Sequence, residues 1–323
     1  MNSNFEKGRI SLKTAADLIR RKDNILILSH RNPDGDTLGS AFALCYSLLK
    51  LGKKVRVDCS DGFPERYGFL YEGYKPPAPF EPEFVIAVDT ADTVLLGQKF
   101  AVFADKTDLC IDHHLSNTFY AENTLLEDCA AAAEIIYALI QELQIPIDAL
   151  TAACVYTGIS TDTGCFKFSN TSPNSHVIAA EMMKLGAPVR IINYLMFEKK
   201  SKGRFAVERT VYSTVEFFFD GRCSLVHIPL ELIASAGTNS YEIEGIAAVP
   251  RQIEGVEIAF TLFERSDGSY RVSVRSSDDF DSSGIAKAFG GGGHFAAAGC
   301  TVAGNFEEVR SRLLAETGKL FAK

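Results

Sequence analysis

Three side chains that bind divalent metals, His30, Asp34 and Asp36, lie within one stretch of seven residues. Pro33 and Gly35 favour a turn there, which lets the three side chains converge instead of alternating as they would along a strand. Imidazole nitrogens and carboxylate oxygens together bind ions such as manganese. The alternative is a plain strand-to-helix loop whose two aspartates cap the helix N-terminus.

The elements on either side place this stretch at the end of a strand. Residues 24–28 form an apolar run that predicts a buried parallel strand, and residues 37–51 carry apolar side chains at helical spacing. In open α/β sheets, ligands bind at the carboxyl ends of the strands. Position and chemistry therefore agree on a site.

The first part of the chain repeats a strand-then-helix pattern, which predicts an α/β domain with a mostly parallel sheet. Further strands are predicted at 54–58, 84–89 and 109–112, and further helices at 130–144, 148–160 and 173–185. A helical, charge-mixed stretch at 189–215 is predicted to be a connector. Beyond it, short strands at 214–219, 223–228, 256–264 and 270–275 predict a second, smaller α+β domain.

Three more acidic or histidine features follow these elements. Asp89 ends one predicted strand, Asp112-His113-His114 ends the next, and Asp162 is predicted in a loop of small residues after a helix. Each feature alone is more often a cap or a surface group. In a parallel sheet these ends share one edge, where so many buried carboxylates need a cation to offset desolvation and mutual repulsion.

The number of candidate ligands exceeds what one ion needs. Carboxylates and imidazoles without thiolate suit manganese best, with magnesium, cobalt or iron as substitutes. Two ions about 3.5–4 Å apart, bridged by a carboxylate, generate hydroxide and stabilise in-line displacement at phosphorus. The residues therefore predict phosphoester hydrolysis by a two-metal site.

Composition limits the remaining possibilities. The 323 residues are 46% hydrophobic and 23% charged, with a net charge of -8, and they predict a globular protein of two domains. An acidic chain is not expected to coat long nucleic acids, whereas a small anionic substrate is compatible. We expect no membrane span, no signal peptide and a cytoplasmic location. The eight cysteines are scattered without a C-x-x-C pair, which predicts reduced, buried thiols.

The motifs resemble those of the DHH phosphoesterase superfamily, and a glycine-rich segment at 289–299 resembles its DHH-associated nucleic-acid-binding domain. The motifs that carry the first resemblance are His30-x-x-Pro33-Asp34-x-Asp36-x-x-Gly39-Ser40, Asp89, Asp112-His113-His114 and Gly158-x-x-x-Asp162-Thr163-Gly164. The resemblance implies a mostly parallel-sheet DHH catalytic, metal-binding domain at 1–188. A helical linker at 189–213 and an α+β nucleotide-binding domain at 214–323 would follow.

The resemblance also implies roles for the residues near the sheet edge. Two manganese ions would share the carboxylate of Asp89. The ligands of the first ion would be His30, Asp34 and Asp89, and those of the second would be Asp36, Asp89, His113 and Asp162. His114 would face the scissile phosphate as a donor or as a general acid, and Asp112 would orient the adjacent imidazoles.

The second domain carries the candidate substrate-binding residues. Consecutive glycines permit positive φ and close backbone approach, so that their N–H groups can wrap an anion. The run consists of Gly290, Gly291, Gly292 and Gly293. His294 adds a switchable donor, and Arg275 is a candidate fork for a terminal phosphate. The alternative is a flexible loop beside a solvated Arg275.

Two segments depart from the family pattern or match none of its motifs. Phe295-Ala296 stands where relatives often carry a polar residue, so Phe295 is a candidate to stack on a base. The aromatic residues of 62–79 either line the cleft or simply pack.

Length and layout are similar to the short-chain branch of nano-RNases and pAp phosphatases. This implies a manganese-dependent exonuclease, active as a monomer or homodimer. Its substrates would be short single-stranded oligoribonucleotides, cleaved to mononucleotides, and adenosine 3',5'-bisphosphate, which would lose its 3'-phosphate. The alternatives are a cyclic dinucleotide phosphodiesterase, a pyrophosphatase or polyphosphatase, and a nucleotide-binding regulator without turnover. The complete ligand set argues against the regulator.

Overall fold

The computed structural model describes residues 8–239, 242–243, 245–277, 279–293 and 295–322 of the chain. The chain divides into two compact units, of which the first ends at Lys199 and the second begins at Lys200. This division falls inside the segment 189–213 that the sequence predicts as a helical linker. The described part of the chain contains no helix long and apolar enough to cross a membrane.

A parallel sheet forms the centre of the first unit. Its strands are β1 Ile25–Ser29, β2 Val55–Cys59, β3 Phe84–Val88, β4 Leu109–Asp112 and β5 Asn123–Leu126. Within the described residues their order across the sheet is β2-β1-β3-β4-β5, and all neighbours run parallel. The carboxyl ends of β1, β3 and β4 therefore lie side by side, and the predicted α/β fold is confirmed.

Helices surround this sheet and begin where the sequence places capping side chains. The helices of the first unit are α1 Leu12–Arg21, α2 Gly35–Lys50, α3 Gly68–Tyr71, α4 Gly97–Phe100, α5 Ala132–Glu142, α6 Ala149–Asp162, α7 Pro173–Lys184 and α8 Val189–Asn193. Asp34, Asp148 and Ser172 each accept a hydrogen bond from a backbone N–H in the first turn of α2, α6 and α7. Short 3-10 segments and one π-helical turn complete the unit at Glu65–Tyr67, Thr93–Leu96, Ala101–Lys106 and Tyr194–Glu198.

Two glycines let α2 and α6 approach closely. A Cβ at Gly39 would lie 2.5 Å from the carbonyl oxygen of Cys154, and one at Gly158 would lie 2.7 Å from Oδ1 of Asp36. These distances leave no room for a side chain. Because Asp36 is in the first turn of α2 and Asp162 is the last residue of α6, close packing brings their carboxylates together.

The aromatic residues of 62–79 pack into the first unit. Phe63, Tyr71 and Tyr74 lie with ring centroids 5.2–5.6 Å from that of Phe42. The hydroxyl of Tyr74 accepts a hydrogen bond of 2.9 Å from the backbone N–H of Val57. These contacts support the packing alternative for this segment.

The second unit is built on a mixed sheet. Its strands are β6 Glu216–Phe218, β7 Cys223–Ile228, β8 Ile258–Glu264, β9 Ser269–Ser276, β10 Gly292–Gly293 and β11 Ala297–Ala303, and its helices are α9 Lys202–Thr214, α10 Leu230–Ser235, α11 Ser282–Lys287 and α12 Phe306–Phe321. A 3-10 segment spans Ile246–Gln252. In the described residues the strand order is β10-β11-β9-β8-β7-β6, antiparallel except for the pair β7 and β8. The predicted smaller α+β domain is confirmed.

Candidate metal centre and substrate-binding residues

The ligand atoms of the predicted metal residues meet at the carboxyl edge of the parallel sheet. In each of two groups, one atom from every member lies within 4.8 Å of the others. The first group is His30, Asp34 and Asp89, and the second is Asp36, His113 and Asp162. The structure therefore brings together all six residues that the sequence predicts as metal ligands.

Asp162 lies at the end of a helix, so its predicted position in a loop was wrong. Helix α6 continues to Asp162, and threonine hydroxyls along it bond back to carbonyls one turn earlier. Thr157 donates to Ala153 and Thr161 donates to Thr157, at 2.7 and 2.9 Å. The N–H of Thr163 still donates to the carbonyl of Ile159 at 3.1 Å, so the helical hydrogen bonds continue past residue 160, where the prediction ended the helix.

Asp89 lies between the two ligand groups. Its Oδ2 is 3.7 Å from Nε2 of His30, and its Oδ1 is 3.5 Å from Nε2 of His113. Thr37 donates a hydrogen bond of 2.6 Å to Oδ2. The backbone of Asp89 has φ +55°, a conformation that residues with a side chain rarely adopt. The strained turn after β3 thus points one oxygen at each group.

Two histidines point their Nε2 atoms at these carboxylates. Nδ1 of His30 lies 2.7 Å from the carbonyl oxygen of Arg31, and Nδ1 of His113 lies 3.1 Å from that of Cys129. A carbonyl oxygen only accepts, so Nδ1 carries the proton in both rings. Nε2 of His113 lies 3.4 Å from Oδ2 of Asp162. Both rings therefore have the orientation that a metal ligand needs.

Asp36 and Asp34 each cap a helix, although not in the same way. Asp34 accepts a hydrogen bond of 3.0 Å from the N–H of Thr37 at the start of α2. Asp36 is fully buried and accepts bonds of 2.6 and 2.9 Å from the N–H groups of Ala132 and Ala133 at the start of α5. The capping alternative therefore holds for Asp34, whereas Asp36 bonds to the start of a different helix, and both carboxylates also belong to the ligand groups.

The electrostatics of the cluster call for a cation. Burial and the charges of Asp34 and Asp89 raise the pKa of Asp162 to about 8, and burial followed by neighbouring carboxylates raises the pKa of Asp36. Burial lowers the pKa of His113, but the carboxylates around it outweigh this effect and raise it to about 10. Oδ1 of Asp89 and Nε2 of His113 are buried without a hydrogen-bond partner. This oxygen-rich, thiolate-free donor set fits hard or borderline divalent ions.

Asp112 holds His114 beside the cluster and is not itself placed to bind metal. It is fully buried, and its Oδ1 lies 2.8 Å from Nδ1 of His114. The backbone N–H of His113 donates to the same oxygen, and Nδ2 of Asn117 donates to Oδ2 at 2.6 Å. The bond to Asp112 raises the pKa of His114. Because Nδ1 of His114 carries the proton of this bond, its Nε2 is the atom left for a substrate.

Arg275 lies near the end of β9 in the second unit. It is half-buried, and its Nη1 donates a hydrogen bond of 3.0 Å to the carbonyl of Val274. Burial and then the charge of Arg271 lower the pKa of its guanidinium. In the sheet, Arg275 is paired with Ala297 and Ala259 on the neighbouring strands.

The glycine run at 290–293 makes contacts that differ in part from the predicted binding of an anion by its N–H groups. Gly290 and Gly293 adopt φ +74° and +145°, as the sequence analysis expects of such a run. The N–H groups of Gly290 and Gly291 donate to carbonyls of α11, at 3.0 and 2.9 Å. These two groups are therefore committed and do not wrap an anion, whereas Gly292 and Gly293 form strand β10, which pairs antiparallel with β11. Residues of β9, β11 and the run line a cavity of about 420 Å³. His294 lies outside the described residues.

Comparison with known proteins identifies both domains of the chain. Residues 24–159 match the DHH family, N-terminal domain, and residues 225–323 match the DHHA1 domain. The chain is 31% identical over 309 residues to the bifunctional oligoribonuclease and PAP phosphatase NrnA of Thermus thermophilus, covering 94% of this chain and 92% of the relative.

The chain belongs to the DHH family. The predicted resemblance to the DHH phosphoesterases, and with it the class of enzyme, is confirmed. The NrnA protein of Bacillus subtilis, also named a bifunctional oligoribonuclease and PAP phosphatase, is 26% identical over 87% of this chain and 90% of its own length. The crystal structure of an exopolyphosphatase-related protein from Bacteroides fragilis has the same fold, with a TM-score of 0.85, 24% identity and 97% coverage of both chains.

Several residues that support the DHH site are missing from the sequence predictions. Thr37 and Asn117 bond to Asp89 and Asp112, and the backbone of residues 129–133 bonds to Asp36 and His113. One signal for the backbone contacts is present in the sequence. Helix α5 begins within a run of alanines and has no side-chain cap of its own, so its first N–H groups need partners from outside the helix, which Asp36 supplies.

Proposed function

We propose that this protein is a manganese-dependent phosphoesterase with two nucleotidic substrates. It hydrolyses short single-stranded oligoribonucleotides to mononucleotides and removes the 3'-phosphate of adenosine 3',5'-bisphosphate. The names of the NrnA relatives support both activities. The observation that carries the proposal is the position of Asp89, whose two oxygens face two separate groups of metal-binding side chains.

The proposed ion ligands follow the two groups. His30, Asp34 and Asp89 would hold one manganese ion, and Asp36, Asp89, His113 and Asp162 would hold the other, with magnesium or cobalt as substitutes. Ions bound there would lower the pKa of water and stabilise the charge that develops at phosphorus. The unpartnered Oδ1 of Asp89 and Nε2 of His113 supply the buried donor atoms that this arrangement requires.

Other residues of each unit have proposed roles toward the proton and the substrate. Nδ1 of His114 donates to Asp112, and this bond raises the pKa of His114, so that the protonated ring would donate a proton or a hydrogen bond from Nε2 to the leaving oxygen. Arg275 would form paired hydrogen bonds to a terminal phosphate, which its fork geometry suits. Phe295 exposes 53% of its surface and would stack on a base. His294 and the end of the glycine run would complete the contacts to the terminal nucleotide.

The compartment and the oligomeric state belong to the same proposal. A cytoplasmic location agrees with eight free cysteines among the described residues, six of them buried. We propose a monomer or a homodimer.

A substrate panel tests this function. The purified protein is incubated with manganese and with ribonucleotides of two to ten residues, adenosine 3',5'-bisphosphate, a cyclic dinucleotide and pyrophosphate, and the products are separated by chromatography. We expect mononucleotides from the shortest RNAs and adenosine monophosphate from the bisphosphate. Turnover of only the cyclic dinucleotide or pyrophosphate would overturn the substrate assignment, and no turnover at all would favour a binding protein.

A matched pair of variants tests the role of Asp89. Asp89→Ala removes the carboxylate between the two groups and should abolish manganese-dependent turnover. Asp92→Ala is the control, because Asp92 also follows β3 but caps a 3-10 turn through the N–H of Val94, 2.9 Å away. A folded Asp89→Ala protein that turns over substrate like Asp92→Ala would contradict the bridging role.

A further inference from the structure

One backbone segment, residues 129–133, holds two members of the same ligand group. The carbonyl of Cys129 accepts the bond from Nδ1 of His113 at 3.1 Å. The N–H groups of Ala132 and Ala133 donate to the two oxygens of Asp36 at 2.6 and 2.9 Å. The positions of both side chains are therefore set by one short stretch of main chain.

Asn170 ties the third member of the group to this segment. Its Nδ2 lies 3.2 Å from the carbonyl oxygen of Ala130 and 3.1 Å from that of Asp162. One amide thus links the last turn of α6 to the stretch that holds Asp36 and His113.

The backbone after Asp162 makes this link important. Gly164, Cys165 and Phe166 adopt φ +56°, +61° and +62° in succession, which is unfavourable for the two residues with side chains. Such a turn persists only when its surroundings hold it. The bond from Asn170 to the carbonyl of Asp162 fixes the point where the strained turn leaves the helix.

Two members of the other ligand group, His30 and Asp34, are held in their described contacts by residues close to them in the sequence. His30 is oriented by the carbonyl of the next residue, Arg31, and Asp34 by the N–H of Thr37 in its own helix. The side chain of Asp34 is 52% exposed, whereas that of Asp36 is fully buried. The exposed carboxylate has to be ordered when an ion binds, whereas the braced group is already in place.

We propose that Asn170 is a positioning residue that makes the group Asp36, His113 and Asp162 the tighter of two manganese sites, so that it fills first. This inference rests on the proposed metal-dependent function. Asn170 is not itself a ligand. Its side-chain amide bonds to the carbonyl oxygens of Ala130 and Asp162 and so holds the segment 129–133 and the end of α6 together. It is exposed, so its replacement removes the two hydrogen bonds without opening the core.

Manganese titration followed by the paramagnetic resonance signal of the free ion tests the inference. In the wild-type protein we expect a tight and a weaker class of bound ions, and Asp34→Ala should remove only the weaker class. Asn170→Ala should weaken the tight class about tenfold or more, as losses of groups that orient metal ligands do. The manganese concentration needed for half-maximal activity should rise, while kcat at saturating manganese stays within about twofold.

Asn123→Ala is the matched control. Its Nδ2 donates a 3.0 Å hydrogen bond to the carbonyl of Asp108, which precedes β4 at the end opposite to His113, so the variant loses a similar bond away from the ligand edge. We expect it to leave both classes unchanged. If Asn170→Ala does not fold, Asn170→Ser, which keeps a hydroxyl donor, replaces it and should weaken the tight class less.

The outcomes separate the inference from the function on which it rests. Two classes of equal affinity in the wild type, or an Asn170→Ala protein that loses both classes equally or neither, would overturn the role of Asn170 while leaving the metal site intact. A wild-type protein that binds no manganese would overturn the proposed function together with this inference.

Discussion

Replacing Asp112 by asparagine isolates the proposed task of His114. The substitution keeps the shape of a fully buried side chain but removes its charge. Asp112 accepts donors at both oxygens, from Nδ1 of His114 at 2.8 Å and from Nδ2 of Asn117 at 2.6 Å. Whichever way the new amide is turned, its NH2 group meets a donor. We therefore expect Asp112→Asn to lose about 1–3 kcal/mol of folding stability.

The effect on catalysis follows from the bond to His114. A hydrogen bond to a charged partner contributes about 1.5–3 kcal/mol and a neutral one about 0.5–1.5 kcal/mol. The difference of about 1–1.5 kcal/mol corresponds to roughly a tenfold lower kcat. The hydrogen bond to the Asp112 carboxylate, followed by nearby negative charges, raises the pKa of His114, so Asp112→Asn lowers it. His114 then loses its proton at a lower pH. The fall of kcat on the alkaline side of the pH profile therefore moves to lower pH.

The assay measures kcat for a dinucleotide across pH at saturating manganese, together with urea unfolding. Asp108→Asn is the control, since Asp108 precedes β4 at its opposite end and accepts a 2.7 Å bond from the N–H of Val85. It should lose stability while keeping kcat and its pH profile. An Asp112→Asn protein whose kcat and pH profile match those of Asp108→Asn would refute the reasoning.

Three further predictions concern the proposed metal ligands and the residues that pack against them. Asp34→Ala and Asp148→Ala each remove a helix N-cap and should each lose about 1 kcal/mol in urea unfolding. Only Asp34→Ala should bind one manganese ion fewer per chain, and equal stoichiometry would argue against Asp34 as a ligand. Gly158→Ala would place a methyl group 2.7 Å from the carboxylate at the start of α2, so Tm and manganese affinity should both fall, and no change in either would contradict the packing argument. Because the pKa values of Asp162 and His113 are raised to about 8 and about 10, both groups hold protons at neutral pH that an ion must displace. Manganese affinity should therefore rise between about pH 6 and 8, and calorimetry in buffers of different ionisation enthalpy should detect proton release; binding without release would contradict this account.

The parallel sheet and the metal residues could be predicted because their signals are local. Strands β1, β3 and β4 are apolar runs that end at His30, Asp89 and Asp112-His113, so both the element and its chemistry are visible in one short window. Parallel strands then place these ends at one edge. The predicted start of α2 at Thr37 was two residues late, because the cap residue Asp34 lies further upstream than the apolar pattern shows.

The supporting contacts could not be predicted because they depend on tertiary approach. Asn170 acts through two carbonyl oxygens, and residues 129–133 act through main chain, which carries no residue-specific signal. In the second unit the short helix α11 and strand β10 have too few residues for a periodic pattern. Helix α12 is different, since its capping box of Asn305 and Glu308 is a local signal that is present in the sequence.

Anomalous diffraction at the manganese absorption edge tests the central claim most directly, with crystals grown in manganese. We predict two peaks in each chain, one beside His30 and Asp34 and one beside Asp36, His113 and Asp162, with the carboxylate of Asp89 contacting both. A single peak, or two peaks that Asp89 does not bridge, would contradict the account of a two-metal phosphoesterase.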